Sequence, residues 1–344
     1  MGVVNIMDNL IAGIFVIAEA ANPGLWGSFV NFLANMLQLI NNVTNNYGLS
    51  VVLFTVLMRF VLLPLDLKAK ASTKKINEIQ PLLKEINEKY KYDPDKRNKK
   101  TAELYQKHGV NPLGGCLPLL IQIPIFFALF AALRQISSME LGGFLIDAIK
   151  HYDPSIVPVL DEIIKAVEAS SAVKQKMVDI IPQLFIRTDL PIVEQMKEVA
   201  GAENVSLLLE TIKNISNKDI YSFLNAQYGA YKFLWIKNVW IADSPLVSVV
   251  GRPIDLLSGE WNGLFILPIL AGITSYYQAK LTNASTSNQQ TGGFAAIFPI
   301  LSVWFTAMYT AAFGVYWVTN NIFQIVQQII YNRTNSPEGE GVKS

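Results

Sequence analysis

Between residues 281 and 332 the chain carries no charged side chain. As one straight helix, rising about 1.5 Å per residue, this run would reach about 80 Å, far beyond the roughly 30 Å of hydrocarbon in a bilayer. It must fold back on itself, and the break falls at 310–314, where Gly314 is permissive and the flanking runs 294–309 and 315–331 are each close to a span in length. Composition agrees: the 344 residues are 51% hydrophobic and only 16% charged, against about a quarter charged in soluble chains. Mean hydropathy is +0.31. These features predict an all-α polytopic membrane protein.

Three further apolar runs, 49–65, 114–133 and 263–279, bring the predicted spans to five. Prolines 118 and 124 within the second are tolerable in lipid, where neighbouring helices satisfy the freed carbonyls. The segment 66–113 holds 12 Lys or Arg against 7 acids, so it is expected on the cytoplasmic side. The N-terminus is then outside and the C-terminus inside. Residues 135–262, with 11 basic and 16 acidic side chains, are then external.

The chain therefore divides as follows. Residues 1–27 form an apolar segment readable as a signal or an anchor, with Asp8 standing where a signal would be basic. Residues 28–46 form an interfacial amphipathic helix with Phe29, Phe32, Leu33, Met36, Leu37 and Ile40 on one face. The first span is 47–67, followed by a cytoplasmic helical hairpin, 68–113, in which Pro81 kinks the first helix. Next come the second span, 114–136, an external helical insertion, 137–232, and an external pre-span segment, 233–262. The third span, 263–281, a cytoplasmic linker, 282–293, the fourth and fifth spans, 294–332, and a cytoplasmic tail, 333–344, complete it.

Arg59 is the most informative residue. An arginine at the centre of a span costs about 2.5–3.5 kcal/mol on insertion scales, so such charges face a bundle interior or a wet cavity. Thr55 lies one turn before it and Asp66 two turns after, making one face of the first span polar. The last span matches it: Tyr316, Asn320, Gln324 and Gln327 fall at spacings of four, four and three, with Trp317 and Asn321 beside them. Gln122 in the second span and Thr274 and Gln278 in the third complete a shared polar surface. Each neutral group alone reads as an interhelical hydrogen bond, and Arg59 alone as a packing residue paired to Asp66 or to carbonyls.

The sequence shows no Walker loop, no Gly-x-Ser-x-Gly and no His-Glu-x-x-His, and a single cysteine and two histidines exclude a disulfide framework and a typical zinc centre. The chain is expected to be no enzyme and to need no cofactor or metal. A cavity with one fixed positive charge and neutral hydrogen-bonding walls suits transient contact with a polar, often acidic, passenger segment. A polar-cavity transporter or channel and a purely structural assembly factor are the rival readings.

At these residues the chain resembles the YidC/Oxa/Alb family of membrane protein insertases. Four stretches carry the resemblance: Tyr47-Gly48-Leu49-Ser50 through Thr55 and Arg59 to Leu63-Pro64-Leu65; Asn111-Pro112-Leu113-Gly114-Gly115-Cys116-Leu117-Pro118 through Gln122 to Phe126; Phe233-Leu234-Trp235-Ile236 leading to Asp243-Ser244-Pro245; and Tyr316-Trp317 with Asn320, Asn321, Gln324, Gln327 and Gln328. It covers residues 28–136 and 233–332. It implies a five-span core whose hydrophilic groove is open to the cytoplasm and to lipid, with Arg59 inside it and Trp317 as its aromatic. The groove would receive polar parts of nascent membrane proteins without nucleotide hydrolysis, in a bacterial plasma membrane. The Sec translocon, the ribosome and membrane lipids would be partners, with no nucleic acid bound directly. Two departures stand out: Thr310-Ala311-Ala312-Phe313-Gly314 replaces a Pro-Ala-Gly turn, and the external segment after the second span is long.

Overall fold

A computed structural model of the chain describes residues 23–109, 117–173, 175–227, 229–244, 262–283 and 292–334. The expected signal or anchor up to residue 22, the entry motif at 111–116, Pro245, the linker at 284–291 and the tail from 335 lie outside them. Among the described residues the fold is all-α, with one isolated bridge between Phe233 and Ile236. The helices are α1 (Pro23–Thr44), α2 (Tyr47–Glu78), α3 (Gln80–Lys89), α4 (Pro94–Lys107), α5 (Leu117–Tyr152), α6 (Val157–Ala169) and α7 (Met177–Ile186). They continue with α8 (Pro191–Ala200), α9 (Ala202–Asn214), α10 (Asn217–Gln227), α11 (Ile266–Asn283), α12 (Gly292–Met308) and α13 (Ala311–Thr334).

Two of these helices, α2 and α5, contain segments long and apolar enough to cross a membrane, Tyr47–Ile76 and Gln122–Tyr152. At about 1.5 Å per residue the 32 residues of α2 and the 36 of α5 each outrun the hydrocarbon core. Helices α11, α12 and α13 have 18, 17 and 24 residues. The chain forms two compact units, Met1–Val52 with Leu129–Ile269 and Trp304–Tyr316, and Leu53–Ala128 with Leu270–Val303 and Trp317–Ser344.

In the first unit, α1 buries Val30, Leu33, Ala34 and Leu37, the i, i+3, i+4, i+7 pattern of one helix face. Leu25, Phe32 and Leu39 repeat at sevens on another face and are exposed. Phe32 thus points away from the stripe that the sequence assigns it to. The helix stops at Asn45, whose φ of 49° is a left-handed value that asparagine tolerates, and Asn46 caps α2 by accepting from Leu49 N at 2.9 Å.

The second half of α5 joins α6–α10 in a bundle. Its core is built at three- and four-residue spacings from Phe144, Leu145 and Ile149, Leu160 and Ile163, Ile180 and Leu184, Val193 and Met196, and Leu208 and Ile212. Gly142 lets α5 lie against α7, since a Cβ there would meet the Val178 carbonyl.

Residues 229–244 make no long element, yet they fix two helix starts. Asp243 accepts from Phe265 N at 3.1 Å and Leu267 N at 2.7 Å, occupying donors that the first turn of α11 leaves unpaired. The carbonyls of Ile241 and Val239 accept from Ala311 N and Ala312 N at 2.9 and 2.7 Å, doing the same for α13. Asn262 ties the segment together, donating to the carbonyls of Asn238, Ile241 and Ala242 and accepting from Asn238 N. The helix break therefore falls at Tyr309 and Thr310, ahead of Gly314. That glycine lies inside α13, where Leu267 packs against it.

In the second unit, Ile79 breaks the helix path between α2 and α3, and Pro81 opens the first turn of α3, where its missing N–H costs nothing. The sequence places a kink inside one helix; the structure separates two helices there. Asp93 caps α4, and Gly109, at φ 60°, follows its end. Ile79 and Leu83, with Ile76, Leu104 and Tyr105, form the seam of this charged hairpin.

Candidate functional site

The second unit has helices whose two sides differ in kind. On α2, Leu53, Leu57, Phe60, Val61 and Leu67 are exposed. Thr55, Arg59, Asp66 and Lys70 fall on the opposite side at about 100° per residue. On α13, Ile322, Val326, Ile329 and Ile330 are exposed, and Trp317, Asn320, Asn321, Gln324 and Gln327 lie opposite. On α11, Ile273, Tyr276 and Tyr277 are exposed, with Thr274, Ser275 and Gln278 opposite. Water would not favour such an arrangement, whereas lipid requires it: apolar stripes outward, polar groups satisfied within.

Arg59 is only 5% exposed. A guanidinium is a charged group with five N–H donors, so its burial requires partners. Nε donates to Asn320 Oδ1 at 2.5 Å, and Nη1 faces Asp66 Oδ2 at 3.4 Å. The carboxylate contact is long beside the about 2.7–2.9 Å of a tight charge-assisted pair. Lys70, one turn beyond Asp66, lies over the Tyr331 ring at 5.9 Å.

A neutral network continues along α11 and α13. Gln278 Nε2 donates to Gln324 Oε1 at 2.6 Å. Ser275 Oγ is its hub, accepting from Trp317 Nε1 at 3.1 Å and from Asn321 Nδ2 at 2.9 Å, and donating to Ser302 Oγ of α12 at 2.9 Å. Asn321 Nδ2 also reaches Thr274 Oγ1 at 3.0 Å. The Trp317 ring lies against Phe126 of α5 and Phe298 of α12, with centroids 5.7 and 5.8 Å away. The Gln327 side chain is buried, with its Nε2 unpartnered among the described residues.

Of the eight residues singled out from sequence, Arg59 and Asn320 meet directly, Gln278 and Gln324 meet directly, and Trp317 joins the serine hub. Thr55 is fully buried one turn before Arg59. Gln122 is half-buried on α5. Tyr316 belongs to the first unit, buried with its ring 6.3 Å from Phe313. Sequence reasoning left Ser275, polar beside Thr274, out of the shared surface and missed Ser302; both are small hydroxyls in apolar helices. It also missed Glu140, whose two oxygens accept from Tyr47 and Tyr231 at 2.5 and 2.6 Å. A lone acid just past an apolar run was its only trace.

An all-α chain with apolar helix faces exposed and a buried arginine among amides and hydroxyls is a helical membrane protein with an internal polar site. Its sequence matches the profile of the 60Kd inner membrane protein family over residues 39–196 and 209–338, and the chain belongs to that family. Relatives named as membrane protein insertase YidC occur in several bacteria. One from Fusobacterium nucleatum is 44% identical over 131 residues, 38% of this chain and 64% of that protein. One from Caldanaerobacter subterraneus subsp. tengcongensis is 26% identical over 310 residues, 90% of this chain and 97% of the relative. A third, from Chlorobium limicola, is 26% identical over 299 residues, 87% of this chain but only 35% of the relative. The match runs through most of the 137–232 insertion, which the motif resemblance leaves out.

Proposed function

We propose that this protein is a membrane protein insertase and chaperone of the bacterial plasma membrane, acting on nascent membrane proteins without nucleotide hydrolysis. The observation that carries the reading is Arg59: a buried charge, opposite an exposed apolar stripe, bonded to half-buried Asn320, with half-buried Gln324 one turn further along α13 and bonded to Gln278. In this reading α2, α5, α11, α12 and α13 are five spans with the N-terminus outside. Thr55, Arg59, Gln122, Gln278, Trp317, Asn320 and Gln324 line a hydrophilic groove open to the cytoplasm and to lipid. A polar client segment enters it, exchanges hydration for hydrogen bonds with these walls, and so crosses a shorter apolar path. Its apolar helix then leaves sideways. The Sec translocon, the ribosome and membrane lipids are partners in this reading, and the α3–α4 hairpin contacts the incoming chain.

The test is insertion of a small single-span client into liposomes holding the purified protein, scored by protease protection, for wild type, Arg59→Ala and Arg59→Lys. Wild-type and Lys activity with Ala failure supports the reading. Insertion no better than that of empty liposomes removes it. A second reading, in which Arg59 only pins α2 to α13, rests on the short contact to Asn320; full activity of Arg59→Ala would favour it.

A further inference from the structure

The site does not present a bare positive charge. Asp66 lies seven residues beyond Arg59, two turns along the same face of α2, and its carboxylate faces Nη1 at 3.4 Å. Both side chains are shielded, at 6% and 15% exposure, so their attraction is less screened than at a surface. Asn320 meanwhile holds the guanidinium from its Nε side at 2.5 Å. One edge of the arginine is therefore anchored to a neutral amide, and the Nη edge is covered by a loosely held carboxylate.

From this arrangement we infer that Asp66 is a built-in competitor for Arg59, which an acidic side chain of the client must displace, and that Asp66 thereby sets how strongly the site prefers acidic client segments. This rests on the insertase reading above. The long contact makes exchange feasible, because a bidentate carboxylate on the Nη edge gains the fork geometry that Asp66 lacks. Lys70 makes it easier still. It stands at i+4 from Asp66, the favourable acid-before-base order on a helix, and lies over Tyr331 of α13. A displaced Asp66 thus turns to a second cation and is not left buried and unpaired. Asp66 acts through Arg59 and is a positioning residue.

The test uses full-length protein in liposomes and two versions of one single-span client, with Asp or Asn in the segment to be translocated. Asp66→Asn is expected to raise insertion of the acidic client about two- to fivefold relative to the neutral one, the range of a partly screened ion pair. Asp66→Glu should keep the wild-type ratio, and Asp66→Ser should behave like Asn if the amide variant folds poorly. An unchanged ratio, or equal loss for both clients, overturns the role of Asp66 while leaving the insertase reading in place. Wild-type insertion of neither client removes both.

Discussion

Asn320 on α13 accepts the Nε hydrogen of Arg59 on α2 at 2.5 Å, a direct tie between the charged face of α2 and the amide face of α13. A hydrogen bond to a charged group contributes about 1.5–3 kcal/mol, and its loss leaves a buried guanidinium donor unsatisfied. Asn320→Ala should therefore lower the thermal midpoint in detergent and weaken insertion. Asn320→Asp separates the two effects: a carboxylate at Nε holds Arg59 harder, so the midpoint should hold or rise while insertion falls. Parallel loss of both in the Asp variant would show that neutrality at this position is irrelevant.

Trp317 is held by an indole hydrogen bond to Ser275 and by ring contacts with Phe126 and Phe298. Trp317→Phe removes the first and keeps much of the second, so it should cost about 1 kcal/mol or less, in line with interhelical hydrogen bonds in membranes. Trp317→Ala removes both and should cost at least twice as much. Chemical unfolding in mixed micelles resolves the two; equal losses would mean that the ring contacts contribute little.

Asp243 is fully buried and its carboxylate receives Trp235 Nε1 as well as the backbone donors of Phe265 and Leu267. Truncation to Ala orphans three donors at about 1–3 kcal/mol each, so the variant should express poorly or unfold at markedly lower temperature. Gly263→Ala should behave similarly, because a Cβ there would collide with the same carboxylate. Accumulation and thermal unfolding of the two variants, compared with an exposed control such as Leu234→Ala, check this; wild-type midpoints in both would show that the cap contributes nothing.

These residues mark where sequence stops being informative. The polar face of α13 was readable because its four-four-three spacing is a property of the helix itself, and Arg59 because a charge in an apolar run needs an explanation. The start of α13 was not readable. It is set by carbonyls of Val239 and Ile241, some seventy residues earlier, and backbone acceptors leave no mark on side-chain pattern. The length of α5 was hidden for a related reason. Arg134 and Glu140 look like the end of a span, yet the helix runs on to Tyr152, because Phe144, Leu145 and Ile149 bury in the bundle core that follows.

Glu140 offers a fourth test. Its two oxygens each accept one phenol, from Tyr47 and Tyr231, whose rings stack with centroids 5.8 Å apart. Glu140→Gln keeps the shape but has one oxygen, so one phenol loses its acceptor, at a cost of about 1–3 kcal/mol. Faster proteolysis of the 229–244 segment in the Gln variant is the expected result, and an unchanged cleavage rate would remove the clamp role.

The hairpin carries its own pH dependence. The backbone N–H of Lys96 donates to Asp93 at 3.1 Å and holds that carboxyl below its ordinary range. A group whose folded value is depressed adds stability above its unfolded value and loses it as pH falls through the folded one. The first turn of α4 should accordingly be intact at neutral pH and fray in the acid range below about 4, where an unperturbed aspartate protonates. Asp93→Asn caps a helix without titrating, so it should flatten the acid limb and leave neutral-pH helicity nearly unchanged, whereas Asp93→Ala should fray at every pH. Amide exchange at residues 95–97 across the acid range reads this directly; acid fraying in the Asn variant equal to wild type would assign the effect to other carboxylates of the hairpin.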